Sequence, residues 1–420
     1  MNKDKKFLSV LEPLKFGDYR LLVIGQMIST LGDSFYLMAL PWLIFNNNRD
    51  ASSLGYISMF FGITSILGIV IGGLFTDKFG PCKLMIISDV SRTILLGLMT
   101  LVGASGNFSF AALCIIVSFL GLFTGVFRPA YFSITPNILP AENLQGGNAL
   151  NQISMQIAGF IGPSLAGFII NYFTIVGALT FDSFSFVISF IALAFVRVKE
   201  DNKTTKKEEN KSIKQHKEEK RQSLWNFLCL TRYVLVLFFI FACVNLVWTG
   251  LMEVALPTYI IKVLKLNAKD NGFIITASSI GALVGAFFSS YMSKNKNRVL
   301  IALVLGILQG ILIVLIPILG DIYWGILLAH LVLFGICNGL ANVVLITRVQ
   351  QGIPIYLMGK VMSVMQFAML SMVPLSGILA GFICKVFGPE LMFFLSGFGL
   401  IASFSLGIVV PSVYKVSDLD

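Results

Sequence analysis

Residues 54–76 read LGYISMFFGITSILGIVIGGLFT, 23 positions without a charge or a proline. As a helix this run is about 34 Å long, enough to cross the roughly 30 Å hydrocarbon core of a bilayer. The pattern recurs in both directions along the 420-residue chain. Together with this run, spans are expected at 19–45, 84–103, 108–127, 147–173 and 177–196, then at 231–261, 272–293, 299–319, 322–346, 361–386 and 391–410. Hydrophobic residues make up 56% and charged residues 12%, against about 25% charged in soluble globular proteins. So much apolar surface excludes a water-soluble enzyme, and low charge excludes disorder. A β-barrel would show short alternating segments instead. The expected fold class is an all-α polytopic membrane protein with twelve transmembrane helices.

Lysine and arginine placement gives the orientation. With twelve spans, 25 basic residues fall on the side of the two termini. Five fall opposite: Arg49, Lys262, Lys265, Lys269 and Lys385. Both termini are therefore expected in the cytoplasm. The net charge of +10 is a topology signal spread over many short loops, and no nucleic-acid partner is implied. The N-terminus has no small-residue cleavage site before the first span, so it does not read as a signal peptide.

The longest polar stretch lies between spans six and seven. It includes Lys206-Lys207-Glu208-Glu209 and Lys217-Glu218-Glu219-Lys220-Arg221 and reads as a solvated tether. The expected organisation is a six-helix bundle over 1–196, a charged cytoplasmic linker over 197–228 and a second bundle over 229–420. The bundles look related. Ala39-Leu40-Pro41 matches Ala255-Leu256-Pro257 at an offset of 216, and Gly55 matches Gly272 at 217. Gly121 and Gly125 match Gly335 and Gly339, and Ala166-Gly167 matches Ala380-Gly381, all at 214. Parallel six-span repeats put a substrate site near the bilayer midplane between them.

The loop after the second span, Gly73-Leu74-Phe75-Thr76-Asp77-Lys78-Phe79-Gly80, follows the pattern G-x-x-x-D-(R/K)-x-G of the major facilitator superfamily. The family usually follows with two basic residues; here Pro81 and Cys82 intervene before Lys83. The resemblance covers the whole chain and implies two pseudo-symmetric bundles. It also implies a gating loop built on Gly73, Asp77, Lys78, Gly80 and Lys83. Glycine permits the tight turn, and Asp77 can pair with charge at neighbouring helix ends. Span five resembles the spaced-glycine motif of the superfamily's antiporters, reading Ala149, Ala158, Gly162, Pro163, Ala166 and Gly167. Gly162, Pro163 and Gly167 form its packing core, which reads as an export gate or as ordinary close packing. Leu31-Gly32-Asp33-Ser34, Ala39-Leu40-Pro41-Trp42, Arg128-Pro129-Ala130 and Ile138-Leu139-Pro140 look like the macrolide-efflux branch. That implies export of a drug-like molecule against protons.

Charges inside spans are expensive, about 2.5–3.5 kcal/mol on insertion scales, and mark function by default. Asp33 in span one and Glu253 in span seven are the candidates for carrying the coupled proton. A buried ion pair or a helix–helix hydrogen bond is the competing structural role for each. Cavity or substrate candidates are Gln26, Thr30 and Tyr36 beside Asp33, Thr124 and Arg128 in span four, and Asn245 and Thr249 in span seven. His330, Asn338 and Asn342 share a face of span ten, and Gln366 lies in span eleven. Asn148, Gln152 and Gln156 form a stripe in span five, and Met358, Met362, Met365, Met369 and Met372 another in span eleven. Periodic apolar residues usually just pack. Asp89 and Arg92 are spaced to pair across one turn, Arg128 reads as snorkelling to the headgroups, and Asp182 as a cap or gate contact near an outer end.

No metal and no cofactor are expected, since the chain has two histidines and no paired-cysteine motif. No hydrolase, metalloprotease or P-loop motif occurs, which argues against an enzyme or an ATP-driven pump. The reading is a monomeric secondary transporter in a bacterial plasma membrane. Its expected partners are membrane lipid, a small-molecule substrate and protons. It would export a hydrophobic or amphiphilic molecule by proton antiport. The alternatives are an exporter or flippase of a lipid, siderophore or peptide, or a membrane binding protein that transports nothing.

Overall fold

A bilayer offers backbone groups no hydrogen-bond partners, so each apolar run must satisfy its own amides as a helix. The computed structural model describes residues 12–47, 49–104, 109–140, 143–197, 231–289, 292, 297–319, 324–351, 353 and 355–414. The interior of the charged linker, residues 198–228, lies outside the described residues.

Helices α1 (Gly17–Asn46), α2 (Ala51–Phe79), α3 (Pro81–Ala104) and α4 (Phe110–Ile138) come first. A continuous helical stretch, Leu144–Phe195, follows. Its 52 residues would be about 78 Å long if straight, far more than one crossing. It breaks at Thr174, whose φ of 69° lies in the left-handed region. Contacts with α1 show that the chain reverses there. Tyr19 meets Gly147 and Ser34 meets Gly162, so 144–173 (α5) runs parallel to α1. Gly25 meets Ser189 and Gly32 meets Ser185, so 175–195 (α6) runs antiparallel. The twelve expected crossings are therefore present.

The second half comprises α7 (232–263), α8 (Ala268–Ser289), α9 (Arg298–Leu319), α10 (Trp324–Gln351), α11 (Ile355–Val386) and α12 (Pro389–Val409), with a final short helix, α13 (Pro411–Tyr414). Large apolar side chains point outward over the surface, among them Leu74, Phe132, Phe195, Phe287 and Val409. That is the arrangement a lipid solvent demands.

Several helices run past their expected bounds, span ten reaching Gln351 and span eleven beginning at Ile355. Span four does not stop at 127, because α4 continues through Pro129 and Pro136 to Ile138. Span eight begins four residues earlier than expected, at Ala268.

The repeat read from sequence is realised in packing. Gly121 rests on the Phe61 carbonyl, and Gly335 on the Ser278 carbonyl. Gly125 rests on that of Ser65, and Gly339 on that of Ala282. The offsets of 214 and 217 thus hold on both sides of each contact. The same offsets govern the two seams between the halves. On the α2–α11 seam, Gly55 packs on Gly377 and Gly381, and Gly381 on Ala51 and Ser52. On the α8–α5 seam, Gly272 packs on Pro163, and Gly167 on Ala268 and Lys269. Small residues let these backbones approach closely.

Both seams lie in the half of the molecule away from the termini. At the other end each half keeps its own core, Tyr19, Met85 and Ile134 among its members in the first half, but α2 and α5 expose consecutive residues. Gly73, Leu74 and Phe75 of α2 are exposed in succession, as are Met155, Gln156 and Ile157 of α5. Three consecutive exposed residues cover most of a helix circumference, more than a lipid-facing stripe alone would expose. The described contacts between the halves thus gather away from the termini.

Candidate functional site

α1 brings the polar face of the N-terminal half inward. Thr30 donates to the Gln26 carbonyl at 2.8 Å, and Gln26 donates to Ser189 Oγ of α6 at 3.2 Å. Ser189 in turn donates to Asp89 Oδ2 of α3 at 2.6 Å. The other oxygen of Asp89 is ion-paired with Arg92, as the spacing suggests. Both side chains are buried. The Arg92 guanidinium lies between two rings, 4.6 Å from the centroid of Phe127 and 4.1 Å from that of Phe186. Such stacking suits the weakly hydrated planar cation.

Asp33 is half-buried in this interior, within electrostatic range of Arg92, Asp89 and Arg128. Arg128 is exposed and lies within electrostatic range of Asp33. Asp182 is no outer-end cap. It is 1% exposed and packs against Gly32, midway along α1. Sequence reasoning misplaced it because a span assignment does not show which helices pack around a residue.

α7 is not a plain helix. Two π-helical turns, Leu251–Ala255 and Tyr259–Val263, flank the three residues Leu256–Thr258. π-turns concentrate at functional sites, and Glu253 sits in the first. Just before it, Ser376 of α11 is spliced into the α7 ladder. Its hydroxyl accepts from the Gly250 amide at 2.6 Å and donates to the Leu246 carbonyl. A side chain inserted there takes the place of the ordinary i→i−4 bond. Glu253 is exposed, and its Oε2 accepts a 2.7 Å hydrogen bond from Ser58 of α2. This carboxylate therefore bridges the two halves. Tyr36, buried on α1, lies within electrostatic range of Glu253, Asp182 and Asp33.

The other sequence candidates scatter. Thr124 and Asn338 are half-buried, and Asn342 and Gln366 are exposed. Asn245 donates to its own helix at Phe241, and Thr249 is buried. His330 does not face the space between the halves. Its Nε2 donates to the Leu312 carbonyl at 2.6 Å, tying α10 to α9. In span five the expected stripe is displaced by one position. Asn151, not singled out from sequence, is buried and accepts from Tyr19 at 2.9 Å, while Asn148 and Gln156 are exposed. The side chains of Gln152, Met358 and Asp77 lie outside the described set. Of the remaining methionines Met365 is buried and Met362, Met369 and Met372 are half-buried.

In the gating loop Gly80 supplies the turn with a φ of 83° and caps α2 through its amide on Thr76. Gly73 has open space around it, and the close approach to α4 is made by Gly72 on Val126 and Pro129. Lys78 and Lys83 are exposed. Gly162 packs on Ser34, and Pro163 and Gly167 form part of the α5–α8 seam.

Three of the five basic residues assigned to the far side reach across the halves. Lys385 of α11 pairs with Asp50, just before α2, at 2.9 Å. Lys262 lies 5.0 Å from the Phe45 ring centroid, and Lys269 5.5 Å from that of Phe168. Asn271 of α8 donates to the Met38 sulfur at 3.4 Å. Burial works to raise the Asp50 carboxyl, but hydrogen bonds from Ser52 and Lys385 and the Lys385 charge outweigh it and hold it at about 2. A depressed carboxylate stabilises above its ordinary value near 3.9 and loses that contribution as pH falls toward 2. Closure by this pair should therefore be complete above about pH 4. Spin labels at Asn46 and Phe387 should show an unchanged distance distribution from pH 8 to pH 5. Asp50→Asn should broaden it toward longer distances at every pH. Because the pair is exposed, its worth is at most about 1 kcal/mol.

The match to known proteins runs the length of the chain. A multidrug efflux pump, Tap, of Mycolicibacterium fortuitum is 22% identical over 423 residues, covering 97% of this chain and 98% of that one. The pump of the same name from Mycobacterium tuberculosis is 21% identical over 406 residues, 94% of each. Among solved structures, a D-xylose–proton symporter superposes with a TM-score of 0.72 at 13% identity, over 98% of this chain and 99% of that one. The nucleoside transporter NupG gives 0.70 at 12%, over 93% and 98%. These neighbours are transporters, not enzymes. The family model described as Major Facilitator Superfamily matches residues 22–377, and the chain belongs to that superfamily of membrane transporters.

Proposed function

We propose that the protein exports a hydrophobic or amphiphilic small molecule from the cytoplasm in exchange for protons. The observation that carries this reading is the Glu253 carboxylate, exposed between the halves and held by Ser58 of the opposite half. A charge that bridges the moving parts links its own protonation to their separation. Neutralising Glu253 weakens a charge-assisted hydrogen bond across the seam, which favours opening on the far side. Asp33, in the N-terminal half, faces the same interior and offers a second proton site.

The basic residues near the termini support a reading with both termini in the cytoplasm. The face where the halves meet is then external, and the described conformation faces inward. The names of the relatives support drug efflux as the direction and substrate class. The abundance of phenylalanine and methionine, 37 and 15 residues, suits such substrates better than sugars, which need more hydrogen-bonding groups.

The test is efflux of a lipophilic dye from cells expressing the chain, with and without an uncoupler. Asp33→Asn and Glu253→Gln should each abolish uncoupler-sensitive efflux without loss of expression. Proton-dependent efflux that survives both substitutions would overturn the assignment. Gradient-independent lipid scrambling in liposomes would favour a lipid transporter instead.

A further inference from the structure

We propose that Asp182 is held as a neutral carboxylic acid and stores a proton for the N-terminal half. Its exchange of that proton with Asp33 rests on the antiport reading; its neutral state does not.

The argument is a balance of charge. The interior of this half contains three carboxylates, Asp33, Asp89 and Asp182, and two guanidiniums, Arg92 and Arg128. Arg92 is committed to Asp89 by direct ion pairing, and Ser189 occupies the second oxygen of Asp89. Arg128 lies within range of Asp33. Asp182 is left over. Its Oδ1 receives only a long bond of 3.4 Å from Ser185, and its Oδ2 has no hydrogen-bond partner among the described residues. A bare ion at membrane depth without a cation in contact is among the costliest groups a protein can hold. As a neutral acid Asp182 removes that cost, and the interior then carries two balanced pairs and no net charge.

The groups around it fit this role. From α1 come Asp33 and Tyr36, from α3 comes Arg92, and from α6 itself comes Ser185. A further carboxylate nearby, Asp33, favours a proton on one member of the pair. Gly32 makes the approach possible: a Cβ there would lie 2.6 Å from Asp182 Oδ1. The carboxyl is thus pressed against α1 one residue from Asp33. A change in the Asp33–Arg128 interaction during transport would alter the field at Asp182 and release or admit its proton.

The experiment is infrared spectroscopy of the full-length protein in lipid nanodiscs at neutral pH, beside dye efflux from proteoliposomes. The wild type should show the carbonyl stretch of a buried, protonated carboxylic acid. Asp182→Asn, nearly the same shape, should remove that band, and Asp33→Asn should leave it. Asp182→Asn should also lower uncoupler-sensitive efflux by roughly tenfold with substrate binding unchanged, the sign of a lost coupling step and not of a lost fold. Gly32→Ala keeps the carboxyl but pushes it away, and should shift the band without abolishing it. A wild type without the band, or a band that survives Asp182→Asn, overturns the proposal. Loss of the band on Asp182→Asn in a transporter whose efflux ignores the uncoupler supports the neutral acid and defeats the antiport reading alone.

Discussion

Replacing Arg92 with methionine should destabilise the protein by about 3–5 kcal/mol, as expected when one partner of a buried ion pair is removed. Three losses add. Asp89 keeps its hydrogen bond from Ser189 but loses its cation. The Phe127 and Phe186 rings lose the guanidinium between them. The link from α3 through Ser189 and Gln26 to α1 then hangs on an uncompensated charge. Thermal unfolding in detergent should show a large drop in midpoint. The double substitution Asp89→Leu with Arg92→Met should cost less than Arg92→Met alone, because it removes the stranded charge as well. Equal losses in the single and double variants would refute the pairing account.

Gly55→Val should shift the conformational equilibrium by about ten- to a hundredfold against the closed far side, the effect of 1–3 kcal/mol of overpacking. The first carbon added at Gly55 would run into the Gly377 carbonyl and the Gly381 backbone. Neither is a side chain that can swing away, so the α2–α11 seam must part. Spin labels at Asn46 and Phe387 should report longer distances in the resting protein, and transport should fall because one of the two states is lost. The mirror change Gly272→Val acts on the Pro163 carbonyl of the α5–α8 seam and should do the same. An unchanged distance distribution in both variants would mean that the seams are not the closure.

The spans and the repeat were legible in the sequence, because a bilayer forces hydropathy and length to follow crossing number. The repeat glycines were legible too, since glycine at fixed offsets marks backbone contact and little else. The continuation of α4 past Pro129 and Pro136 was not. Proline normally ends a helix, yet here the helix accepts two missing amides and runs on. Asp33 and Glu253 stood out as charges inside apolar runs. Asp182 was placed in a span but near its outer end, because hydropathy gives a residue's span and not the neighbours that bury it. The pairing of His330 with α9 was also hidden, since helical periodicity gives a residue's face but not the neighbour that face meets. The π-turns in α7 have no pattern in local propensity. The insertion of Ser376 next to the first of them comes from another helix, 126 residues away.

The two seams, built on the same glycine-on-carbonyl contacts, have a mechanical consequence. A pair of bodies joined along one line can slide, twist and swing. Joined along two lines on opposite flanks, related by the repeat, they keep only a swing, as a door on two hinges does. Because the glycine contacts are backbone on backbone, neither fulcrum has much slack. Whatever passes through must therefore be met by a single rocking coordinate, and a substitution at one fulcrum is felt at the other.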